Sequence, residues 1–340
     1  MMKLLRELSE AAGVPGREDE IREIVMRELK GHVDSLSVDT LGNVIASRKG
    51  SARDRQRVMF AAHMDEIGFY VSFIDDRGFL RLQEVGGFDT RNLFARRVVV
   101  HTASGPLRGV MNPTGKPLHT STPEERKATK EVADFFVDLG LSAKEVQKRV
   151  RVGDMVTLDA SFVEFGSYLS GKCLDNRVAV YIGIQCLKKL KRPKNDIFGV
   201  FTVQEEVGLR GALTSTYGVD PHIGIALDTT IASDTPGVAN EQRVTSLGAG
   251  VGIKVLDGSV ISNRQLVDQF VALAKKHKIK HQMEILPRGG TDAGAIQRSR
   301  SGVKAITLSV PTRYIHTVTE TVHRDDVVAT ESLLRRFLEG

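Results

Sequence analysis

Leu4, Leu5, Leu8 and Ala12 recur at helical spacing, and Gly13-Val14-Pro15-Gly16 ends the run. Ile21, Ile24, Val25 and Leu29 repeat the pattern and predict a second amphipathic helix. Leu36 and Val38 alternate with polar neighbours, Val44-Ile45 begins another strand, and Leu41-Gly42-Asn43 between them predicts a hairpin turn. Val58-Met59-Phe60-Ala61-Ala62 is unbroken apolar sequence, as expected of a strand covered on both faces.

From about Phe69 to Phe165 the texture changes to short alternating segments separated by glycine-bearing turns. Phe79 to Leu82, Arg97 to Val100 and Met155 to Leu158 are examples. They predict a small β-rich module over residues 69–165, inserted into an α/β domain made of residues 1–68 and 166–340. Inside the module, Glu124 to Leu139 reads as a charged helix with Val132, Phe135, Phe136 and Leu139 on one side. After Gly171 strands and helices alternate again. Val178, Ile182, Cys186 and Leu190 line one helix face, and Asp325 to Leu338 predicts a closing helix. Ile197 to Val203, His222 to Leu227 and Lys304 to Val310 predict buried strands. This order predicts an α/β sheet with helices on both faces.

Composition narrows the class. The 340 residues are 41% hydrophobic and 26% charged, ordinary for a globular chain with a substantial core. No apolar run reaches the roughly 18 residues of a membrane span. Glu7 interrupts any apolar region of a signal peptide, so neither a membrane nor a secreted protein is expected. Two cysteines, Cys173 and Cys186, build neither a disulfide framework nor a multi-thiolate zinc site, which points to a reducing cytoplasm. A balance of 48 basic against 42 acidic residues gives a net charge of +6 and raises the question of nucleic acid. The basic runs Lys188 to Arg192 and Lys275 to Lys278 sit at predicted helix ends, where cations offset the helix dipole, and carry no interleaved aromatics. A nucleic-acid partner is not expected.

The metal-capable side chains fall at strand ends, the edge where open α/β sheets bind ligands. His63 and Asp65 follow the first apolar strand, two residues apart and able to reach one site. A carboxylate beside a ligating imidazole fixes its tautomer. Glu205 and Glu206 end the second strand, and Gly208 and Gly211 predict the turn that lets both face one site. Asp228 is read as the end of a third strand, and His316 follows the last. Taken alone, Asp175 reads as the N-cap of the helix that follows it, and Cys173 as a small packing residue. Together, His, Asp, Glu, Asp and His from five separate segments suit two borderline divalent cations with a shared carboxylate. The remaining histidines have no such company.

At these residues the chain resembles the tetrahedral (TET) aminopeptidases, the dinuclear metallopeptidases that include glutamyl aminopeptidase and some chains once labelled cellulases. The matching motifs are AHMDEIG, GKCLDNR, TVQEEVGLRGA, ALD, GGTDAGAIQ and PTRYIHT, in family order. GGFDTRNLFARRVVV and VGDMVTL match within the inserted module, so the resemblance covers nearly the whole chain. It implies a zinc-peptidase-like three-layer sandwich with a mixed central sheet, and a barrel-like module that mediates dimerisation. It implies one metal, zinc or cobalt, on His63, Asp175 and Asp228, and a second on Asp175, Glu206 and His316. Glu205 is implied as general base, Asp65 as the partner of His63, and the peptide after Asp175 as cis. Cys173 stands where family members often carry a small residue. The resemblance also implies hydrolysis of N-terminal residues from short peptides and a tetrahedral dodecamer built from dimers. A related deacylase or carboxypeptidase of the same dinuclear class is the rival activity. A glycosidase has no use for the histidine ligands, and a non-catalytic scaffold has none for a free Glu205.

Overall fold

The computed structural model describes residues 2–340, and the chain separates into two compact units, Met1–Glu66 with Ser161–Gly340, and Ile67–Ala160. In the first unit, numbered within that unit, the strands are β1 (Ser35–Val38), β2 (Val44–Arg48), β3 (Arg57–His63), β4 (Val163–Phe165), β5 (Tyr168–Gly171), β6 (Asp196–Thr202), β7 (Ile223–Ile231), β8 (Val251–Leu256), β9 (His281–Ile285), β10 (Lys304–Arg313) and β11 (Glu320–His323). They form one mixed sheet in the order β1-β2-β6-β3-β7-β10-β11-β5-β4, with β8 paired to β10 and β9 to β8. The four strands β6, β3, β7 and β10 run parallel to one another at its centre. Their carboxyl ends therefore lie along one edge.

The helices of this unit are α1 (Met2–Glu10), α2 (Asp19–Leu29), α3 (Leu174–Lys189), α4 (Arg210–Val219), α5 (Arg264–Lys276), α6 (Asp292–Gln297) and α7 (Arg324–Glu339). Leu5, Leu8, Ile21, Val25, Val178, Ile182, Phe270 and Leu334, from α1, α2, α3, α5 and α7, pack against Phe60, Phe201 and Ile306 on one face of the sheet. Val219 of α4 and Ile296 of α6 cover Met59, Ala61, Val200 and Ala305 on the other. This is the three-layer arrangement expected from alternating strands and helices. The central strands are buried on both faces, which is why they read as continuous apolar runs.

The second unit is a closed six-stranded barrel, in the order Gly68–Ile74, Leu80–Val85, Phe135–Asp138, Gly105–Pro113, Arg96–Thr102 and Met155–Leu158. Phe69, Leu80, Val98, Met111, Phe135 and Val156 point inward and are fully buried. The helix expected from Glu124 to Leu139 is corrected here. Only Pro123–Lys127 is α-helical, held by a capping box between Thr122 and Glu125, and its exposed charged residues have nothing to bury. Phe135 and Val137 instead obey a two-residue period and fill the barrel as a strand.

One ion cluster ties the first unit together beneath the entrance to α3. Glu66 accepts hydrogen bonds from Lys172 Nζ at 2.7 and 2.9 Å and from the Cys173 thiol at 2.6 Å, with Arg177 at 3.8 Å. Arg177 also donates to the carbonyls of Leu8 and Ala11 at the end of α1. Burial alone raises the Glu66 carboxyl, but Lys172 and Arg177 outweigh it and hold it below 4.5. Glu66→Gln leaves Lys172 and Arg177 buried without their counter-ion and is expected to cost about 3–5 kcal/mol in urea unfolding. Because the folded-state pKa is depressed, that cost is complete above pH 4.5 and shrinks as the pH falls through the folded value, where wild-type Glu66 itself becomes neutral. A pH-independent difference between the two proteins would show that the charge of Glu66 is not what the cluster uses.

Candidate active site

A cavity of about 650 Å³ opens at the carboxyl edge of the parallel strands and lies wholly within the first unit. His63, Asp175, Glu205, Glu206, Asp228 and His316 line it together. His63 is the last residue of β3. Asp228 lies inside β7, which runs on through Ile231, so the expectation that the strand ends at Asp228 is corrected; its side chain is placed by the sheet itself. Glu205 and Glu206 follow β6 in a turn that uses left-handed residues at Gln204 (φ 55°), Gly208 (φ 120°) and Leu209 (φ 58°). Gly211 packs so tightly on this turn that an added Cβ would overlap Val203 and Asn43. Asp175 occupies non-helical backbone in the first turn of α3, and its peptide bond to Asn176 is cis. His316 sits in the loop between β10 and β11, also left-handed at φ 62°.

Asp175 divides its two oxygens. Oδ1 is 3.3 Å from His63 Nε2, and Oδ2 is 3.6 Å from His316 Nε2. His63 Nε2 also lies 3.8 Å from Asp228 and 3.9 Å from Glu205, while His316 Nε2 is 3.3 Å from Glu206. Two triads share Asp175: His63–Asp175–Asp228 and Asp175–Glu206–His316, each with ligand atoms within 4.8 Å of one another. His63, Glu205 and Glu206 meet the same spacing, so Glu205 stands beside the pair of triads. Asp175 Oδ1 is buried without a hydrogen-bond donor.

Four carboxylates in so small a cavity repel one another. Burial pushes Glu205 and Asp228 well above the ordinary carboxylate range, and neighbouring carboxylates add to it. Burial opposes charge on His316, yet Glu206 and Asp175 push it up to about 10; His63 is likewise raised, by Glu205, Asp175 and Asp65. Oxygen and imidazole donors arranged around excess negative charge fit divalent cations of the zinc type.

Asp65 lies beyond the end of β3. Its backbone carbonyl is 3.2 Å from His63 Nδ1 and its carboxylate 3.6 Å away. The carboxylate oxygens accept the N–H groups of Glu205 and Glu206, each at 3.0 Å, and so brace the acidic turn. Glu18 accepts from Gln204 N–H at 3.2 Å in the same turn, and burial, with Asp65 nearby, raises its carboxyl to about 7. Among the described residues no other histidine lines the cavity; His222 accepts from the Arg57 amide and His323 caps α7.

Three neighbours were not assigned roles from sequence. Glu320 binds the backbone beneath Asp175 and His316. Asp292, in the GGTDAGAIQ segment, accepts the Thr202 hydroxyl at 2.6 Å and is raised by burial to about 6. Lys254 is fully buried between Glu284 and Asp257 at 3.0 and 3.3 Å and reaches the cavity wall. A lone lysine inside the apolar run Val251 to Leu256 was the one visible signal for that cluster.

Known proteins are similar to this chain in sequence and in fold. A putative aminopeptidase of Acetivibrio thermocellus is 38% identical over 98% of this chain and 97% of its own length. The solved structure of an aminopeptidase from the archaeon Desulfurococcus kamchatkensis is 40% identical and superposes with a TM-score of 0.95, covering 99% of this chain and 94% of that one. The TET1 peptidase of Pyrococcus horikoshii, whose structure is described as assembling into a tetrahedron or a large octahedral shell, is 34% identical with a TM-score of 0.88, covering 99% and 98%. The sequence profile described as M42 glutamyl aminopeptidase matches residues 42–333, and the chain belongs to that family.

Proposed function

We propose that this chain is an aminopeptidase that removes N-terminal residues from short peptides at the cavity around Asp175. In this reading His63, Asp175 and Asp228 hold one divalent cation, zinc or cobalt, and Asp175, Glu206 and His316 hold a second. When bound, such a pair supplies Lewis acidity that activates water and polarises the scissile carbonyl. The observation that carries the reading is the division of the Asp175 oxygens between the two histidine-containing triads.

Glu205 belongs to neither of those two triads yet stands within 3.9 Å of His63. A carboxyl whose pKa burial raises is suited to take a proton from water and give it back. Glu205 accepts the proton as the oxygen of water adds to the peptide carbonyl carbon. It then delivers that proton to the departing amine nitrogen as the C–N bond breaks. Asp65, through the amides of Glu205 and Glu206, holds both side chains toward the cavity. Leu209, Ile231, Leu286 and Ile315 supply an apolar wall for the substrate side chain.

The family resemblance implies that the barrel unit mediates dimerisation, and by analogy with the Pyrococcus horikoshii TET1 peptidase, described as assembling into a tetrahedron or a large octahedral shell, such dimers are proposed to build a tetrahedral dodecamer. No helix among the described residues is long and apolar enough to cross a membrane, and both cysteines are buried free thiols, as a reducing cytoplasm allows.

Glu205→Gln is expected to keep two cations by elemental analysis and to lower kcat by about 10²–10⁴ on an unblocked peptide; loss of a cation would make Glu205 a ligand instead. His316→Ala is expected to lose one cation of the two, with activity, and full metal content with normal turnover would contradict the ligand set. Wild-type enzyme should release amino acids from free but not N-acetylated peptides, and the reverse preference would identify an acylamino hydrolase.

A further inference from the structure

Glu320 is the first residue of β11, paired across the sheet with Gly171 of β5, and is 2% exposed. Its Oε2 accepts the N–H of Asp175 at 2.8 Å, and its Oε1 accepts the N–H of His316 at 2.8 Å. One carboxylate therefore joins the backbone of two loops far apart in sequence. Those loops carry two of the three residues assigned above to the second cation. The third, Glu206, has its own amide held by Asp65.

The first cation position shares Asp175, but its other two ligands have different support. His63 ends β3 and Asp228 lies within β7, so both are fixed by the ladder of the parallel sheet. His316 has no such ladder. It sits in an irregular loop with left-handed backbone, and the Glu320 carboxylate is the acceptor for its amide. A carboxylate with one amide on each oxygen spans a narrow range of separations, and its bonds are charge-assisted and stronger than neutral ones.

We propose that Glu320 is a positioning residue that sets the spacing of Asp175 and His316, and thereby the affinity of the second cation position relative to the first, without touching either ion. The proposal rests on the ligand assignment above. It differs from a role in holding β11 alone, because a strand-anchoring residue would weaken folding without separating the two positions.

The test uses the full-length chain, stripped of metal and titrated with Zn²⁺ by calorimetry and with Co²⁺ by visible absorption. Wild type is expected to show two binding events. In Glu320→Gln the amide oxygen serves one N–H while the NH₂ group opposes the other. The event that His316→Ala abolishes should then lose roughly 10–100-fold in affinity while the other stays within about threefold, with unchanged circular dichroism. Glu320→Asp keeps both acceptors on a shorter stem; it is expected to lose less at the same event and serves if the glutamine variant does not fold. Equal weakening of both events, or both affinities retained in both variants, would overturn the proposal. A wild-type protein with fewer than two events would bring down the cation-pair assignment itself, and the role of Glu320 with it.

Discussion

Mutual repulsion among the carboxylates of Asp175, Glu205, Glu206 and Asp228 is the constraint around which this fold is arranged. Burial at the edge of a sheet, with mutual repulsion added, raises the affinity of Glu205, Glu206 and Asp228 for protons, while His63 and His316 hold Asp175 below its ordinary value and are themselves drawn toward the charged state. A soluble core gains nothing from such a cluster, because an uncompensated buried charge is costly. Positive charge shared between the two triads is what makes the arrangement physically reasonable, and Asp175, with an oxygen in each, is the residue on which both depend.

The surrounding structure holds the cluster together against that repulsion by working on the backbone rather than on the reactive side chains. Asp65 accepts the amides of Glu205 and Glu206, Glu18 that of Gln204, and Glu320 those of Asp175 and His316. Below the loop of Asp175, the ion cluster of Glu66, Lys172 and Arg177 fixes the start of α3. The four parallel strands supply the rigid edge, and left-handed residues at Gln204, Leu209 and His316 make the sharp turns that point side chains inward. Membership of an aminopeptidase family and a peptide-cleaving chemistry at this cavity are consistent on these grounds.

Much of the architecture was legible in the chain itself, for a physical reason. Strands buried on both faces, such as Val58 to Ala62, must be continuously apolar, and helices between sheet and solvent must be amphipathic, as Ile21 to Leu29 is. The clustering of His63, Glu205, Glu206, Asp228 and His316 was legible through their positions at or after strands, whereas Asp175 alone read as a helix N-cap and joined them only as one of several converging segments. What failed was local. Glu124 to Leu139 reads as a helix by composition, but Phe135 and Val137 answer to the barrel interior, a tertiary demand that helical spacing cannot reveal. Asp228 looked like a strand end because an acidic residue interrupts apolar sequence, although the sheet continues beneath it. Glu320 was silent, and Lys254 showed only as a lone lysine in an apolar run, because their partners are brought to them only by folding: two amides from separate segments for the one, and Glu284 on a neighbouring strand for the other.

These side chains are proposed to gather around a pair of cations. Diffraction from crystals grown with zinc, recorded on both sides of the zinc absorption edge, tests it most directly. Two anomalous peaks per chain are expected, one enclosed by His63, Asp175 and Asp228 and the other by Asp175, Glu206 and His316. An anomalous map with no peak in this cavity, or with Asp175 bound to neither ion, would contradict it.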